Sequence, residues 1–404
     1  MRNSHHADPR IEAMIRIRSV RWLLLCVAGM SVGARSQDTA TTSVASTPKI
    51  STDSVSDGTL TDSVNPRASL PAGASGSPER KRSWLVIPGM MSAPETGPAV
   101  VGKVRVRNLG GVPGYVDATS EVTFKKQWFA ELVWLRDSIG SLWRTEQHLE
   151  VGEFPDIWFG PGNPPPDSLR AEFTPTYLIA ESRLARYLGG GWALEGSFRL
   201  DLESVKLEPQ GAFLVEPVVA PNGGSFYIAG LALEYEGRDL AENPTRGLFL
   251  RSRVRYALPG SESTWSSWQN DLSDAASAGP FTLVGRVRSV DSWGDVPFWE
   301  IPALGYREAL RGLPERRLRG EAVQCAGAEL RYNLPKILGF STQVAGFFEE
   351  GHAGTHGGVW SAEPTPAGGA GGRLLLDGGK AVLRVDEGIS PEGMGFYIDF
   401  GQTF

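Results

Sequence analysis

The sequence predicts an all-β protein, a transmembrane antiparallel β-barrel of about 16 strands. Three observations support this prediction: an N-terminal export signal, many segments that alternate apolar and charged residues, and a last segment that ends the chain on an aromatic residue. The 404-residue chain has a net charge of only -6 and no basic runs interleaved with aromatic residues. We therefore expect no nucleic-acid partner.

Residues 1–36 are predicted to be a secretory signal peptide. Three arginines, the last of them Arg21, precede an apolar stretch, and Ser36 closes a small-residue cleavage site. The apolar stretch is about a dozen residues long, whereas a membrane-spanning helix needs roughly 20, so we expect cleavage. A lipoprotein anchor at Cys26 is the alternative. Without Cys26, Cys325 has no intrachain partner for a disulfide.

Residues 37–82 are rich in Ser, Thr, Asp, Pro and Gly and contain no aromatic residue. Such a composition buries too little apolar surface to offset the entropy of ordering the chain. We predict a disordered tether, and the alternative is a short motif that folds on contact with a partner.

Residues 83–404 are predicted to form the barrel itself. In the segment from Trp192 to Glu203, apolar residues occupy one face of a strand and charged residues occupy the other. Similar segments of about ten residues recur, separated by Gly, Pro, Asn and Asp. One such strand also fits a soluble exported β-sandwich, but their number and length favour a barrel with lipid outside and a polar lumen.

The last predicted strand, from Phe396 to Phe404, resembles the C-terminal targeting signal of outer-membrane barrels. Its apolar face carries Phe396, Ile398, Phe400 and Phe404. The resemblance implies recognition by the barrel assembly machinery during biogenesis, location in the bacterial outer membrane and contact with its lipid.

Deleting Phe404 is expected to slow arrival of the protein in the outer membrane, because the terminal aromatic residue is part of that signal. The measurement is the yield of folded barrel in the membrane fraction at fixed times after induction. Yield equal to that of the intact chain would remove the targeting argument.

Several short motifs resemble those of the BamA/TamA-type family, the bacterial surface antigen barrels. They are Ser92–Gly97, Phe154–Asn163 and the aspartate-bearing turn from Arg238 to Gly247. The most informative is Leu310-Arg311-Gly312-Leu313, which is similar to the family's arginine–glycine signature in its sixth loop, although Leu313 stands where an aromatic residue is usual.

The resemblance implies that this loop folds into the lumen. Arg311 and Gly312 would be its signature residues, and Glu329 and Glu349, on the inner wall, would be the acidic partners of Arg311. An ion pair of this kind inside the lumen sets the position of the loop. It adds little net stability, because both charges must lose their hydrating water.

The resemblance further implies insertion or translocation of proteins at the outer membrane, with unfolded outer-membrane proteins as partners. The alternative is a passive channel or a structural surface protein without assembly activity. POTRA domains precede the barrel in assembling members, and residues 37–82 are too short and too polar to form one. We therefore do not expect this protein to dock accessory proteins through POTRA domains.

The sequence predicts no enzyme, no cofactor and no metal site. After the signal, only His148, His352 and His356 are available as catalytic bases, and no G-x-S-x-G elbow accompanies them. His352 and His356 lie among glycines that disfavour a metal-binding helix.

Two further sets of residues have both structural and functional interpretations. Arg251, Arg253 and Arg255 either line an anion-preferring lumen or form one inner face balanced by acidic residues of another strand. Five tryptophans are expected at the membrane interfaces: Trp128, Trp134, Trp143, Trp158 and Trp192.

Overall fold

The computed structural model describes residues 82–93, 97–139, 142–207, 211–215, 217–306, 309–337, 339–356, 358–359, 362–376, 379, 381–400 and 402. The predicted signal peptide and all of the predicted tether except Arg82 lie outside these residues. No helix among the described residues is long and apolar enough to cross a bilayer.

The described chain is nearly all β. Its strands are β1 (Ser83–Ala93), β2 (Gly97–Arg107), β3 (Gly114–Thr123), β4 (Trp128–Ile139), β5 (Trp143–Glu153), β6 (Asp156–Trp158), β7 (Ala171–Gly189), β8 (Trp192–Leu207), β9 (Gly223–Glu236), β10 (Gly247–Ala257), β11 (Trp265–Ala278), β12 (Phe281–Gly294), β13 (Ala303–Leu304), β14 (Leu318–Arg319), β15 (Ala322–Ile337), β16 (Phe340–Gly354), β17 (Thr365–Leu376), β18 (Ala381–Ser390) and β19 (Gly393–Phe400). One four-residue helix, α1 (Ala212–Val215), and two 3-10 turns, Leu109–Gly111 and Asp167–Leu169, lie in the connections.

Sixteen of these strands form the barrel wall: β1–β5, β7–β12 and β15–β19. Each pairs antiparallel with the next one along the chain. The predicted count of about sixteen is therefore confirmed. The sheet curls back on itself, so that Cα atoms of β1 and β19 come within 8 Å of each other.

The burial pattern is that of a membrane barrel, with the polar face inside. On β8, Phe198 is 48% exposed and Leu194 is 43% exposed, whereas Glu195 is only 3% exposed. A protein folded in water would have the reverse arrangement. The alternation predicted for this strand therefore places apolar residues towards lipid and charged residues in the lumen.

The hairpin connections differ in length at the two ends of the barrel. Connections at residues 154–170, 208–222, 258–264, 295–321 and 355–364 share one end, here called the long-loop end. At the other, the short-turn end, most connections have six residues or fewer, and residues 237–246 form the longest. Because the wall has an even number of strands, β1 starts and β19 finishes at the short-turn end.

An aromatic cluster lies at the long-loop end. Trp158, Phe173 and Phe298 are almost fully buried, and ring centroids of Phe173 and Phe298 lie 4.8 Å apart. Trp158 was predicted at the membrane interface, and that prediction is wrong, because its indole packs on Phe298 with centroids 5.4 Å apart. Trp143 and Trp192 are exposed and begin β5 and β8, as expected for interface residues, whereas Trp134 is exposed in the middle of β4.

Candidate functional site: the lumen loop and its ion cluster

The connection between β12 and β15, residues 295–321, is here called the lumen loop. Its tip is held by its own backbone: the N–H of Leu313 donates to the carbonyl of Leu310 at 3.1 Å. Leu310 and Leu313 are buried, at 0% and 2% exposure, among apolar residues of the loop and of β15–β17. Arg311 lies between these two leucines in the sequence. Because both leucines are buried, the Arg311 side chain is held against the inner face of the barrel wall.

Gly312 allows the tip to lie directly against the wall. Its φ of 109° belongs to the left-handed region that favours glycine, and a Cβ atom there would meet the backbone carbon of Ile389 at 2.8 Å. Its N–H donates to the Tyr397 hydroxyl at 2.8 Å, and the Ser390 hydroxyl donates to its carbonyl at 2.9 Å. These contacts join the tip to β18 and β19.

The structure brings Arg311 together with both predicted acidic partners. Glu349 accepts the backbone N–H of Arg311 at 2.8 Å and its Nη2 group at 2.8 Å. The Nη1 group donates to Glu329 at 3.2 Å. All three residues are at most 1% exposed, and the guanidinium carbon lies 3.3 Å from the centroid of the Phe347 ring.

A third carboxylate, which the sequence analysis missed, completes the site. Asp386 on β18 accepts from Arg311 Nη1 at 2.7 Å and is fully buried. Three further arginines lie around the carboxylates: Arg331 is 2.8 Å from Glu329, Arg373 bonds Glu329 and Asp386, and Arg384 is 3.4 Å from Asp386. These seven residues are here called the ion cluster.

The composition of the ion cluster explains how so many charges are buried. Four guanidinium groups share three carboxylates, so each charge retains an opposite partner when it loses water. Such a cluster adds little net stability when complete, but removal of one member leaves buried charges without compensation. It therefore fixes the position of the loop more than it strengthens the fold.

The lumen loop has a second anchor near its start, at Glu300. This carboxylate lies 2.9 Å from Arg199 on β8 and 3.6 Å from Arg255 on β10. Burial alone would raise the pKa of Glu300, but the guanidinium groups of Arg199, Arg255 and Arg316 lower it below its usual value. Glu300 is therefore held as a carboxylate, and it ties the loop to the wall across from Arg311.

The aspartate-bearing turn reaches the ion cluster from the short-turn end. Asp239 organises the turn, because its carboxylate accepts the N–H groups of Leu240 and Thr245, both at 2.9 Å. Further along the turn, the carbonyl of Pro244 accepts from Arg331 Nη1 at 3.3 Å. The ion cluster thus contacts segments that enter the lumen from both ends.

The other predicted motifs lie in different places. In the terminal strand β19, Phe396 is 54% exposed and Ile398 is partly buried, while the Phe400 side chain and Phe404 lie outside the described part of the chain. Pro94, Glu95 and Thr96 also lie outside it.

The three arginines predicted on one inner face do have acidic partners. Arg251 and Arg253 both contact Glu195, and Arg255 contacts Glu300.

The structure also groups donor atoms that the sequence analysis did not connect. One atom from each of Glu131, His148 and Glu150 lies within 4.8 Å of the others on β4 and β5. Nε2 of His148 is 3.1 Å from Glu131. This proximity depends on strand register, because Glu131 and Glu150 are direct cross-strand neighbours.

Sixteen antiparallel strands with lipid-type side chains outside and a loop fixed in a charged lumen define an outer-membrane type of β-barrel. Solved structures make the class more specific. BamA from Haemophilus ducreyi lacking POTRA domains 1–3 matches with a TM-score of 0.55 and 11% identity, over 80% of this chain and 70% of that one. The expectation of a BamA-type barrel is therefore confirmed at the level of the fold.

Two CdiB structures have similar folds. CdiB from Escherichia coli matches with a TM-score of 0.59 and 11% identity, over 80% of this chain and 63% of that one. CdiB from Acinetobacter baumannii matches with a TM-score of 0.50 and 12% identity, over 78% and 59%. This chain thus spans less than two thirds of either CdiB chain. No protein-family model and no curated protein matches the sequence.

Proposed function

We propose that this protein is an integral β-barrel of the bacterial outer membrane that assists the insertion or translocation of other proteins there, without catalytic chemistry. The observation that carries the proposal is the seam between β1 and β19. Their Cα atoms approach within 8 Å, yet within the described residues no ladder of paired residues joins the two strands.

The seam provides a physical mechanism. In lipid, unpaired backbone N–H and C=O groups are costly, so an open strand edge tends to acquire a partner. An incoming unfolded strand can supply that partner by adding to the edge of the sheet. Separation of β1 from β19 breaks few backbone bonds, whereas opening elsewhere in the wall breaks a full ladder.

The ion cluster supports the seam mechanism by its position. Arg311 is bonded to Asp386 on β18, and Gly312 is bonded to Tyr397 on β19 itself. The lumen loop therefore braces the C-terminal side of the seam. Strand addition needs an ordered edge to pair with, and the brace on β19 would supply one.

The orientation of the barrel follows from its loops. Outer-membrane barrels have short periplasmic turns and longer extracellular loops. The long-loop end would accordingly face outwards. The start of β1 and the end of β19 would face the periplasm, where unfolded chains arrive.

The first test measures how fast an unfolded outer-membrane protein inserts into liposomes that contain this barrel. The matched control is the same lipid with an unrelated 16-stranded barrel at equal density. We expect acceleration specific to this chain. Equal rates would contradict the proposal and favour a passive channel or a structural surface protein.

The route through the seam is tested separately with a photo-crosslinking amino acid. At Val86 on β1, 64% exposed, we expect crosslinks to the inserting substrate. Leu231 on β9 is the matched control, since it is 59% exposed but lies on a strand paired on both sides. Crosslinks of equal yield at both positions would exclude the seam as the preferred contact.

A further inference from the structure

Three side chains of the types that bind metal ions meet on the inner face of β4 and β5. Nε2 of His148 is 3.1 Å from Oε1 of Glu131 and 3.7 Å from Oε2 of Glu150. Arg144 on β5 bonds to Glu234 of β9 through the lumen at 2.9 Å. Residues an even number apart share one face of a strand, so His148 and Glu150 also face the lumen.

The two glutamates lack the arginine partners that other lumen carboxylates have. Among the described residues, no arginine or lysine forms an ion pair with Glu131 or Glu150. The nearby Lys103 is bonded to Asp117 instead, at 3.4 Å. Glu131 and Glu150 stand directly opposite each other on neighbouring strands. Like charges in that position are destabilising, so a cation between them would be stabilising.

The imidazole of His148 is placed as a ligand rather than as a hydrogen-bond donor. Its Nε2 atom is buried, and within the described part of the chain it has no hydrogen-bond partner of acceptable geometry. The ligands of a tetrahedral ion with bonds of roughly 2.0–2.1 Å lie about 3.3 Å apart, and the two distances from Nε2 to the carboxylates lie on either side of that value. The three donor atoms are therefore spaced as the ligands of one ion.

Tyr177 on β7 orients one of the two carboxylates. Its hydroxyl donates to Oε1 of Glu150 at 2.9 Å, and the other oxygen, Oε2, is the one that lies near His148. Carboxylates that bind metal ions are commonly hydrogen-bonded in this way, because the second contact fixes the direction of the ligand oxygen. Continuous ladders join β4 to β5 and β5 to β7 around these residues. A rigid sheet thus supplies every donor, which favours a preformed site.

We propose that Glu131, His148 and Glu150 bind a divalent transition-metal ion in the lumen, with Zn²⁺ as the best match. Zn²⁺ accepts imidazole nitrogen and carboxylate oxygen together, and a site with three protein ligands leaves a fourth position for water or another molecule. The three side chains stay partly exposed to the lumen, so an ion can reach them. The bound ion would join β4 to β5 and offset the repulsion between the two glutamates.

The test measures binding of Zn²⁺ to the purified, untagged full-length barrel in detergent by titration calorimetry. We expect saturable binding with one strong site per chain. Glu150→Gln removes a ligand and should weaken binding by more than tenfold, whereas Tyr177→Phe removes only the hydrogen bond to that ligand and should weaken it by roughly tenfold. His148→Ala is a second ligand variant in case Glu150→Gln does not fold, and folding is checked by migration without heating.

The matched control is Glu146→Gln, which makes the same change in charge on the same face of β5. Arg183, the partner of Glu146 at 2.6 Å, keeps Glu181 at 2.5 Å in this variant. We expect its affinity for Zn²⁺ to stay close to that of the unmodified protein. Absence of saturable binding, or an equal loss in Glu146→Gln and Glu150→Gln, would overturn the proposal, because diffuse negative charge in the lumen would then account for any binding.

The role of the imidazole is tested by repeating the titration with Mg²⁺. This ion is bound mainly through oxygen ligands, so we expect it to bind far more weakly than Zn²⁺. Equal affinity for the two ions, or unchanged Zn²⁺ affinity in His148→Ala, would contradict the proposed site, because the carboxylates alone would suffice. None of these measurements depends on the insertion activity proposed above, so the two proposals can fail separately.

Discussion

Replacing Arg311 with alanine is expected to destabilise the folded barrel by about 3–5 kcal/mol, the range for breaking a buried ion pair by removal of one partner. The reason is that Glu329, Glu349 and Asp386 are all buried and would lose the one guanidinium group that contacts all three. The measurement is the denaturant midpoint of the fast-migrating, folded form on electrophoresis without heating.

Arg170→Ala is the control for this prediction. Arg170 and Glu172 also form an ion pair, at 2.9 Å, but both side chains are about half exposed. An exposed pair contributes roughly 0–1 kcal/mol, so this variant should unfold close to the unmodified protein. If Arg311→Ala also unfolded at the denaturant midpoint of the unmodified protein, Arg311 would be an ordinary loop residue and would not brace the seam.

The wall of the barrel could be predicted from the sequence because its signal is local. A strand that faces lipid on one side and a wet lumen on the other must alternate every second residue. The segment from Trp192 to Glu203 has that alternation, and β8 spans Trp192–Leu207. Strand count and inward or outward direction follow from such patterns without any knowledge of partners.

The ion cluster could be predicted only in part. Arg311, Glu329 and Glu349 were identified by resemblance to a family motif, and the structure brings the three together. Asp386 and Arg373 were missed, because a lone acidic or basic residue on an inner face looks like any other. The register of β17 with β18 sets Gly371 opposite Asp386 and Arg373 opposite Arg384, and the fold of the lumen loop then brings Arg311 to Asp386.

The aromatic cluster at the long-loop end was not predicted from the sequence. Trp158, Phe173 and Phe298 come from separate loops and strands, so no periodic pattern connects them. Tryptophan in a barrel sequence is expected at the lipid interface, and burial under a folded loop overrides that expectation for Trp158. Contacts between distant loops depend on the tertiary fold, and a single sequence carries little information about them.

The second large effect is expected from a single methyl group at Gly388 on β18. An added Cβ there would lie 2.5 Å from the backbone carbon and 2.6 Å from the carbonyl oxygen of Arg311. Because the clash is with backbone, rotation of a side chain cannot relieve it. Overpacking of this kind costs typically ~1–3 kcal/mol, and we expect Gly388→Ala to push the loop tip off the wall.

Displacement of the tip can be measured with trypsin, which cuts after arginine. In the intact protein Arg311, Arg317 and Arg319 are at most 3% exposed. The side chain of Arg316 is 37% exposed but donates to the carbonyl of Trp299, so we expect the lumen loop to resist cleavage. In Gly388→Ala the loop should become accessible, and mass spectrometry of the fragments would locate the cuts between residues 311 and 319.

Gly372→Ala on β17 is the matched control, since no atom lies within 4 Å of an added Cβ there. Alanine in a strand is favoured over glycine by roughly 0.5–1 kcal/mol, so this variant should be at least as stable and equally resistant to trypsin. Cleavage in Gly388→Ala alone would show that close approach to β18 retains the loop. Resistance of both variants would mean that the tip does not press on β18 in solution, and the brace proposed for the seam would have to be abandoned.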